Sequence, residues 1–146
     1  MQTADRQDWL GLMATSKADD LALLWDRSGL SPDYEMLRQP ETGAVMVRGR
    51  AGGAGDAFNL GEMTVTRASL KLADGQVGHG WCQGRSRRQA TIIALVDALM
   101  QGGTAAELDA VILAPLREAR AARHAAMAER AAATKVDFFT MARGED

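Results

Sequence analysis

The sequence has few of the residues that carry independent chemistry. It contains one cysteine, Cys82, and two histidines, His79 and His124, in 146 residues. A single cysteine excludes an internal disulfide and argues against a zinc cluster built by this chain. No serine, cysteine or threonine lies in a recognisable nucleophile motif, and no pair of carboxylates is singled out by its spacing. The sequence therefore predicts neither an enzyme that works alone nor a metal site.

Long apolar runs and a strong excess of charge are also missing. No run approaches the roughly 20 apolar residues of a membrane helix, and the N-terminal segment MQTADRQDWLGLM is too polar for a signal peptide. The formal net charge of −2 provides no general attraction to nucleic acid. Hydrophobic residues make up 47% and charged residues 25% of the chain, which is typical of one soluble globular domain. We therefore predict a cytoplasmic protein.

The predicted centre of the fold is the stretch 75–100, in which a glycine-rich strand turns into a nearly all-apolar helix. On the strand, Gly78, Gly80 and Cys82 face one side, which is almost bare of side chains, so we expect a helix or a partner's backbone to lie against it. Ser86 and Gln89 have the spacing of a capping box. This spacing predicts that the helix begins at Ser86, and the apolar sequence that follows predicts its burial.

The remaining segments predict an α+β fold. Two amphipathic helices precede a region whose periodicity changes toward strands. Four strands are predicted in that region, over residues 34–38, 44–50, 61–72 and 76–83. Turn chemistry at 40–43 and at Asp74-Gly75 would connect them as an antiparallel meander. The predicted architecture is thus two N-terminal helices, an antiparallel sheet of about four strands, a central buried helix and a long C-terminal helical arm.

Two functional motifs are disfavoured by their surroundings. The second helix resembles the reading helix of a helix-turn-helix, but it carries Asp19, Asp20 and Asp26 against only Lys17 and Arg27, a charge pattern that opposes DNA binding. The glycine-rich segment 51–62 could cradle a phosphate, but nucleotide-binding loops of this kind precede a helix, whereas here a strand follows. We interpret the segment as a hairpin loop, either flexible or ordered by a partner.

The strongest functional feature is a cluster of three arginines, Arg85, Arg87 and Arg88, at the start of the central helix. The positive end of a helix dipole disfavours cations, and a nearby anion would remove this conflict. Free backbone amides and guanidinium groups could together bind a phosphate or polyphosphate. The alternative is a basic cluster that is solvated or paired at an interface, and the residues alone do not decide between the two.

The C-terminal region is predicted to bind partners. Residues 1–114 would form the α+β core domain, and residues 115–146 a helical arm with an aromatic tail, within one functional domain. The arm is rich in alanine, which forms a helix easily but buries little apolar surface. The candidate partner-binding residues are Arg117, Arg120, Arg123, Phe138 and Phe139.

Several strings of the sequence resemble the PhnG family of the carbon-phosphorus lyase system. They are DYEMLR at 33–38, ETG at 41–43, GGAGD at 52–56, TVTRA at 64–68, LADG at 72–75, GRSRRQA at 84–90, ALVDALMQ at 94–101, APL at 114–116 and VDFFTMARG at 136–144. The similarity extends over nearly the whole chain. Its most unusual strings are the closing VDFFTM and the ALVDALMQ run.

The resemblance implies an accessory subunit of a phosphonate-degrading complex. Together with PhnH, PhnI and PhnL, such a protein is needed to transfer the ribose triphosphate of ATP to methylphosphonate with release of adenine. PhnI is the expected direct partner, PhnJ and PhnK are further partners, and the core complex holds two copies each of PhnG, PhnH, PhnI and PhnJ. The family implies no cofactor in this chain; ATP is a co-substrate, and the iron-sulfur cluster and S-adenosylmethionine belong to PhnJ.

The resemblance supplies no catalytic residue, and none is assigned. A second hypothesis, from a different class, is a stand-alone phosphate-ester or nucleotide-binding module that uses the helix start at Arg85, Arg87 and Arg88. The two hypotheses differ in the behaviour of the isolated chain. A subunit would expose its partner-binding surfaces, whereas a stand-alone module would be monodisperse and bind ATP unaided.

Overall fold

A computed structural model describes residues 3–134 of the chain and shows an α+β fold, as predicted. The elements are α1 (Thr3–Ala14), α2 (Ala18–Ser28), β1 (Tyr34–Arg50), a 3-10 turn (Ala51–Gly53), β2 (Ala57–Leu72), β3 (Val77–Gln83), α3 (Arg87–Leu99), α4 (Ala105–Leu108), a π-helical turn (Asp109–Leu113) and α5 (Ala114–Ala133). Within the described range, no helix has the length and apolar character needed to span a membrane.

Among residues 3–134, the sheet has three antiparallel strands in the order β1-β2-β3, one fewer than predicted. The predicted turn at 40–43 is wrong, because Glu41, Thr42 and Gly43 continue β1 and pair with Arg67 and the two residues before it on β2. The register shifts between Arg38 and Glu41, so β1 has a bulge between these two residues. β2 is 16 residues long and can pair with both predicted strands, which therefore form one strand.

β1 and β2 are much longer than β3. β3 pairs only with the part of β2 from Val65 to Lys71, and the chain then leaves the sheet for α3. The far halves of β1 and β2 therefore form a two-stranded ribbon that extends past the end of β3. Residues 51–56 close this ribbon as a hairpin loop, as predicted, with Gly52 and Gly53 at positive φ, whereas residues 57–62 of the glycine-rich segment belong to β2. The second predicted hairpin, at Asp74-Gly75, is confirmed, with Gly75 at a φ of 99°.

α3 is the centre of the core, and nine of its 13 residues are buried. It lies on the glycine face of β3. A Cβ atom added at Gly80 would be 1.9 Å from the carbonyl oxygen of Ala90, and one added at Gly78 would be 1.9 Å from that of Ala94. The missing side chains therefore let the backbone of α3 approach the strand directly, and the predicted close approach is confirmed by a helix of the same chain.

The other helices pack on the opposite side of α3 and complete its burial. The apolar stripe of α1 is buried as predicted, and Leu21 of α2 is fully buried. The same cluster includes Trp9, Leu12, Met13, Ile92, Ile93, Val96, Leu108, Ile112, Leu113 and Leu116. The segment around Ile112 is a π-helical turn. Pro115, which follows it, has no N–H to donate, so a widened turn here is physically reasonable.

One carboxylate lies inside this core. Asp97, in the middle of α3, is fully buried and accepts four hydrogen bonds. Its Oδ1 accepts from Arg6 Nε at 2.9 Å and from Trp9 Nε1 at 3.1 Å, and its Oδ2 accepts from Arg6 Nη2 at 2.6 Å and from the His79 backbone N–H at 2.8 Å. The carboxylate raises the pKa of the Arg6 guanidinium. Asp97 thus connects α1, β3 and α3, and it serves as a structural group.

Candidate partner-binding and ligand-binding surfaces

The start of α3 lies where the capping-box spacing predicts it. The Ser86 hydroxyl accepts a hydrogen bond from the Gln89 backbone N–H at 3.2 Å. The Gln89 side chain does not complete the box; instead it donates to the carbonyl oxygens of Met13, at 3.4 Å, and Ser16, at 3.2 Å. Gln89 therefore links the start of α3 to the connection between α1 and α2.

The three arginines at this helix start are exposed, but they do not act as one group. Arg88 Nη2 donates to both carboxylate oxygens of Asp26, at 2.7 and 2.8 Å. Asp26 is thus the anion that relieves the unfavourable position of Arg88 at the positive end of the helix dipole. The side chains of Arg85 and Arg87 make no hydrogen bond or ion pair within residues 3–134, so these two are the members of the cluster that can still bind a ligand.

The reactive side chains of β3 have structural surroundings. Cys82 is buried, and burial raises the pKa of its thiol, which disfavours a nucleophilic thiolate. His79 Nδ1 lies 2.9 Å from the Ser69 hydroxyl, directly across the strand pair. A serine nucleophile needs a base that a third group orients. Within the described part of the chain, no hydrogen bond orients His79 Nε2, and the contact is a hydrogen-bonded cross-strand pair.

The arginines of α5 lie along a groove between this helix and α1. Arg117 forms an ion pair with Asp109, which lowers the pKa of the Asp109 carboxyl and raises that of Arg117. Arg120 lines the wall of the groove opposite Asp8, and Arg123 lines its outer part. Beyond Arg123, nearly every residue of α5 is exposed, as expected for an arm. Phe138 and Phe139 lie outside the described residues.

A further surface, which the sequence did not reveal as a site, is the face of the sheet opposite α3, called here the outer face. Val45, Val65 and Trp81 project from it and line a cavity of about 260 Å³ together with Gly43 and Arg67. Gly43 lies opposite Val65 on the neighbouring strand, and no atom lies within 4 Å of the position of its missing Cβ. The missing side chain of Gly43 therefore contributes to this open space.

Charged side chains border this cavity. The Glu41 carboxylate accepts hydrogen bonds from Arg38 Nη1 at 2.5 Å and from Arg67 Nε at 2.7 Å. The bond from Arg38, followed by that from Arg67, lowers the pKa of Glu41, so the carboxylate remains ionised near neutral pH. The Arg67 guanidinium also lies over the Trp81 ring, 5.6 Å from its centroid, at cation–π distance.

Most of the exposed apolar bulk lies on the sheet. Of the nine large apolar side chains that are exposed among the described residues, six belong to the strands. They are Tyr34, Leu37, Met46, Phe58, Leu60 and Trp81, whereas Leu23, Val111 and Met127 lie on helices. Apolar residues at every second position are the signal that could have identified the outer face. They are Val45 and Val47 on β1, and Met63 and Val65 on β2. The signal becomes interpretable only when the pairing of β1 with β2 is known.

Comparison with known proteins identifies both a matching family and a similar individual protein. A family model described as "Phosphonate metabolism protein PhnG" matches residues 4–144. The chain is also 46% identical over 148 residues to the protein named "Alpha-D-ribose 1-methylphosphonate 5-triphosphate synthase subunit PhnG" of Rhizobium meliloti (strain 1021). The aligned region covers 98% of this chain and 92% of that relative. The similarity therefore includes the core, the ribbon and the arm.

Proposed function

Since the chain belongs to the PhnG family of phosphonate metabolism proteins, we propose that it is an accessory subunit of an α-D-ribose 1-methylphosphonate 5-triphosphate synthase in the cytoplasm. The observation that carries this proposal is the near-full-length match to a relative with that name. The complex would use PhnH, PhnI and PhnL to transfer the ribose triphosphate of ATP to methylphosphonate and release adenine. PhnI would be the direct partner of this chain.

The positions of the titratable groups support a role that is accessory rather than catalytic. The buried carboxylate of Asp97 is fully used in holding α1, β3 and α3 together. The Cys82 thiol is buried, and His79 forms a cross-strand pair with Ser69. We therefore propose that the reacting groups and any cofactor belong to other subunits, with the iron-sulfur cluster and S-adenosylmethionine in PhnJ. In the larger assembly, which would also bind PhnK, two copies each of PhnG, PhnH, PhnI and PhnJ are proposed.

Co-expression tests this proposal. The chain should co-elute with PhnI in size-exclusion chromatography with light scattering, and omitting it should abolish adenine release from ATP and methylphosphonate by the PhnH, PhnI and PhnL set. The chain alone should release no adenine. A chain that ignores PhnI, or a set of partners that retains full activity without it, would refute the subunit assignment.

Alanine variants test the arginine cluster as a contact to the triphosphate, with Arg85 and Arg87 as the residues to change because Arg88 is paired with Asp26. Arg85→Ala with Arg87→Ala should lower ATP-dependent turnover of the assembled complex by at least about tenfold, since each charge-assisted hydrogen bond contributes about 1.5–3 kcal/mol. Co-elution with PhnI should be retained. Arg27→Ala, which removes an exposed arginine of α2, is the matched control. Unchanged turnover and nucleotide affinity in the double variant would show that the cluster is only surface charge.

The second candidate function, a stand-alone nucleotide-binding module, is tested with the isolated chain and the same double variant. It is supported by the two arginines, Arg85 and Arg87, that are exposed beside the start of α3. If it is correct, the isolated chain should be a monodisperse monomer that binds ATP in calorimetry, and the double variant should lose that binding. The subunit proposal expects no ATP binding by the isolated chain.

A further inference from the structure

We infer that the outer face of the sheet is a docking surface for a different polypeptide of the complex, which inserts one apolar side chain into the Gly43 cavity and places a carboxylate beside Arg38 and Arg67. The inference rests on the proposed function, because it requires a partner subunit. It assigns to the sheet a role that the sequence had suggested for the C-terminal arm.

The cavity has the size and lining of a site for one side chain. Its volume of about 260 Å³ is below the roughly 300–1,000 Å³ of pockets that bind small molecules. Val45 and Val65 provide apolar lining, and Trp81 borders it with 44% of its surface exposed. Tryptophan and arginine are enriched among the residues that dominate binding energy in protein interfaces, and here they lie in contact at the cavity.

The apolar surface continues from the cavity along the ribbon. Val45 pairs with Met63, and Val47 follows on the same side of β1. Beyond them, an added Cβ at Gly49 would lie 3.9 Å from Leu60 and 4.0 Å from Phe58, which places both on the same face. An isolated two-stranded ribbon is at best marginally stable in water, so a partner that covers this face would also stabilise the ribbon.

Charge decides the kind of partner. Two guanidinium groups, those of Arg38 and Arg67, share one carboxylate, that of Glu41, so the group has one excess positive charge. A carboxylate next to the inserted apolar side chain would balance it. A second copy of this chain fits less well, because a two-fold contact centred here would bring cavity against cavity and repeat the same positive group on both sides.

Two variants test the docking surface in the full chain co-expressed with the PhnH, PhnI and PhnL set. Gly43→Leu fills the cavity from a strand position with open space and without positive φ, so it should fold normally. Trp81→Ala removes the aromatic border. Each should weaken association with the partner subunits by at least about tenfold, measured by titration of the purified chain, since truncating a dominant interface residue costs about 2 kcal/mol or more.

Two controls separate this inference from its alternatives. Leu23→Ala removes an exposed apolar side chain from α2 and should leave association unchanged. Melting temperatures of all variants will show that folding is retained. If the unmodified chain does not associate, the proposed function fails and the inference with it. If the unmodified chain associates with the partner subunits and the Gly43→Leu variant associates equally well, the inference alone is overturned. It is also overturned if Gly43→Leu abolishes only a homodimer of this chain, measured by light scattering.

Discussion

Gly80→Ala should destabilise the fold by at least about 3 kcal/mol, the upper end of the cost of overpacking a core. The added methyl would lie 1.9 Å from the Ala90 carbonyl oxygen and 2.9 Å from the Ala94 backbone nitrogen. Both are backbone atoms of a buried helix, so no side chain can move aside. α3 would have to separate from β3, which would disturb the packing on both sides of the helix. Urea unfolding followed by tryptophan fluorescence measures the effect.

Gly61→Ala is the matched control for this substitution. Gly61 lies in β2, its φ is not positive, and no atom lies within 4 Å of its Cβ position. Alanine there should be neutral or stabilising by a few tenths of a kcal/mol, because it reduces the entropy of the unfolded chain. Equal stability of the Gly80 and Gly61 variants would mean that α3 does not lie against β3 as described. Gly78→Ala, which meets Ala94 in the same way, should behave like Gly80→Ala.

Asp97→Ala should cost about 3–5 kcal/mol, the range for removing one partner of a buried ion pair. The substitution leaves the Arg6 guanidinium, the Trp9 indole N–H and the His79 backbone N–H without their acceptor. Three elements lose their shared polar contact at once. We expect a fall in the urea midpoint and, at 37 °C, loss of soluble protein. Asp97→Asn keeps the shape and one acceptor oxygen, so it should cost less than alanine.

Two further variants identify the source of this effect. Asp26→Ala breaks an exposed ion pair, in which the side chain of Arg88 is 63% exposed and that of Asp26 is 55% exposed. Exposed pairs contribute only about 0–1 kcal/mol to stability. Arg6→Met combined with Asp97→Leu removes both charges of the buried pair and should recover part of the loss. If Asp97→Ala were as mild as Asp26→Ala, the buried network would contribute little to stability.

The strand region shows where local sequence signals were insufficient. The Pro40-Glu41-Thr42-Gly43 segment has the residues of a turn, yet its last three residues pair with β2, and the chain makes only a bulge between Arg38 and Glu41. Local chemistry allows either outcome. The choice depends on β2, which is long enough to pair with the residues on both sides of the bulge, and this long-range pairing has no signature within the four residues. The Asp74-Gly75 hairpin was predictable because the required positive φ belongs to Gly75 itself.

The arginine cluster and Asp97 show the same limit for side-chain roles. Three arginines adjacent in sequence look equivalent, but Arg88 reaches Asp26, which lies 62 positions earlier in the chain. Asp97 was detectable as the single carboxylate in the otherwise apolar stretch 92–99 of α3, since a charge at such a position must be paired. Its partners, Arg6 and Trp9, could not be identified because they are 91 and 88 positions away.

The sequence by itself determined the family, the α+β class, the start of the central helix and the bare glycine face of β3, because each depends on residues close together in the chain. Tertiary structure alone decided that β1 is one strand, that Asp97 joins three elements, and that Gly43, Val65 and Trp81 surround a cavity. These features depend on the register between distant strands and on the packing of helices. In a strand, a shift of one residue turns every side chain to the opposite face, and in a helix it turns a side chain by about 100° around the axis.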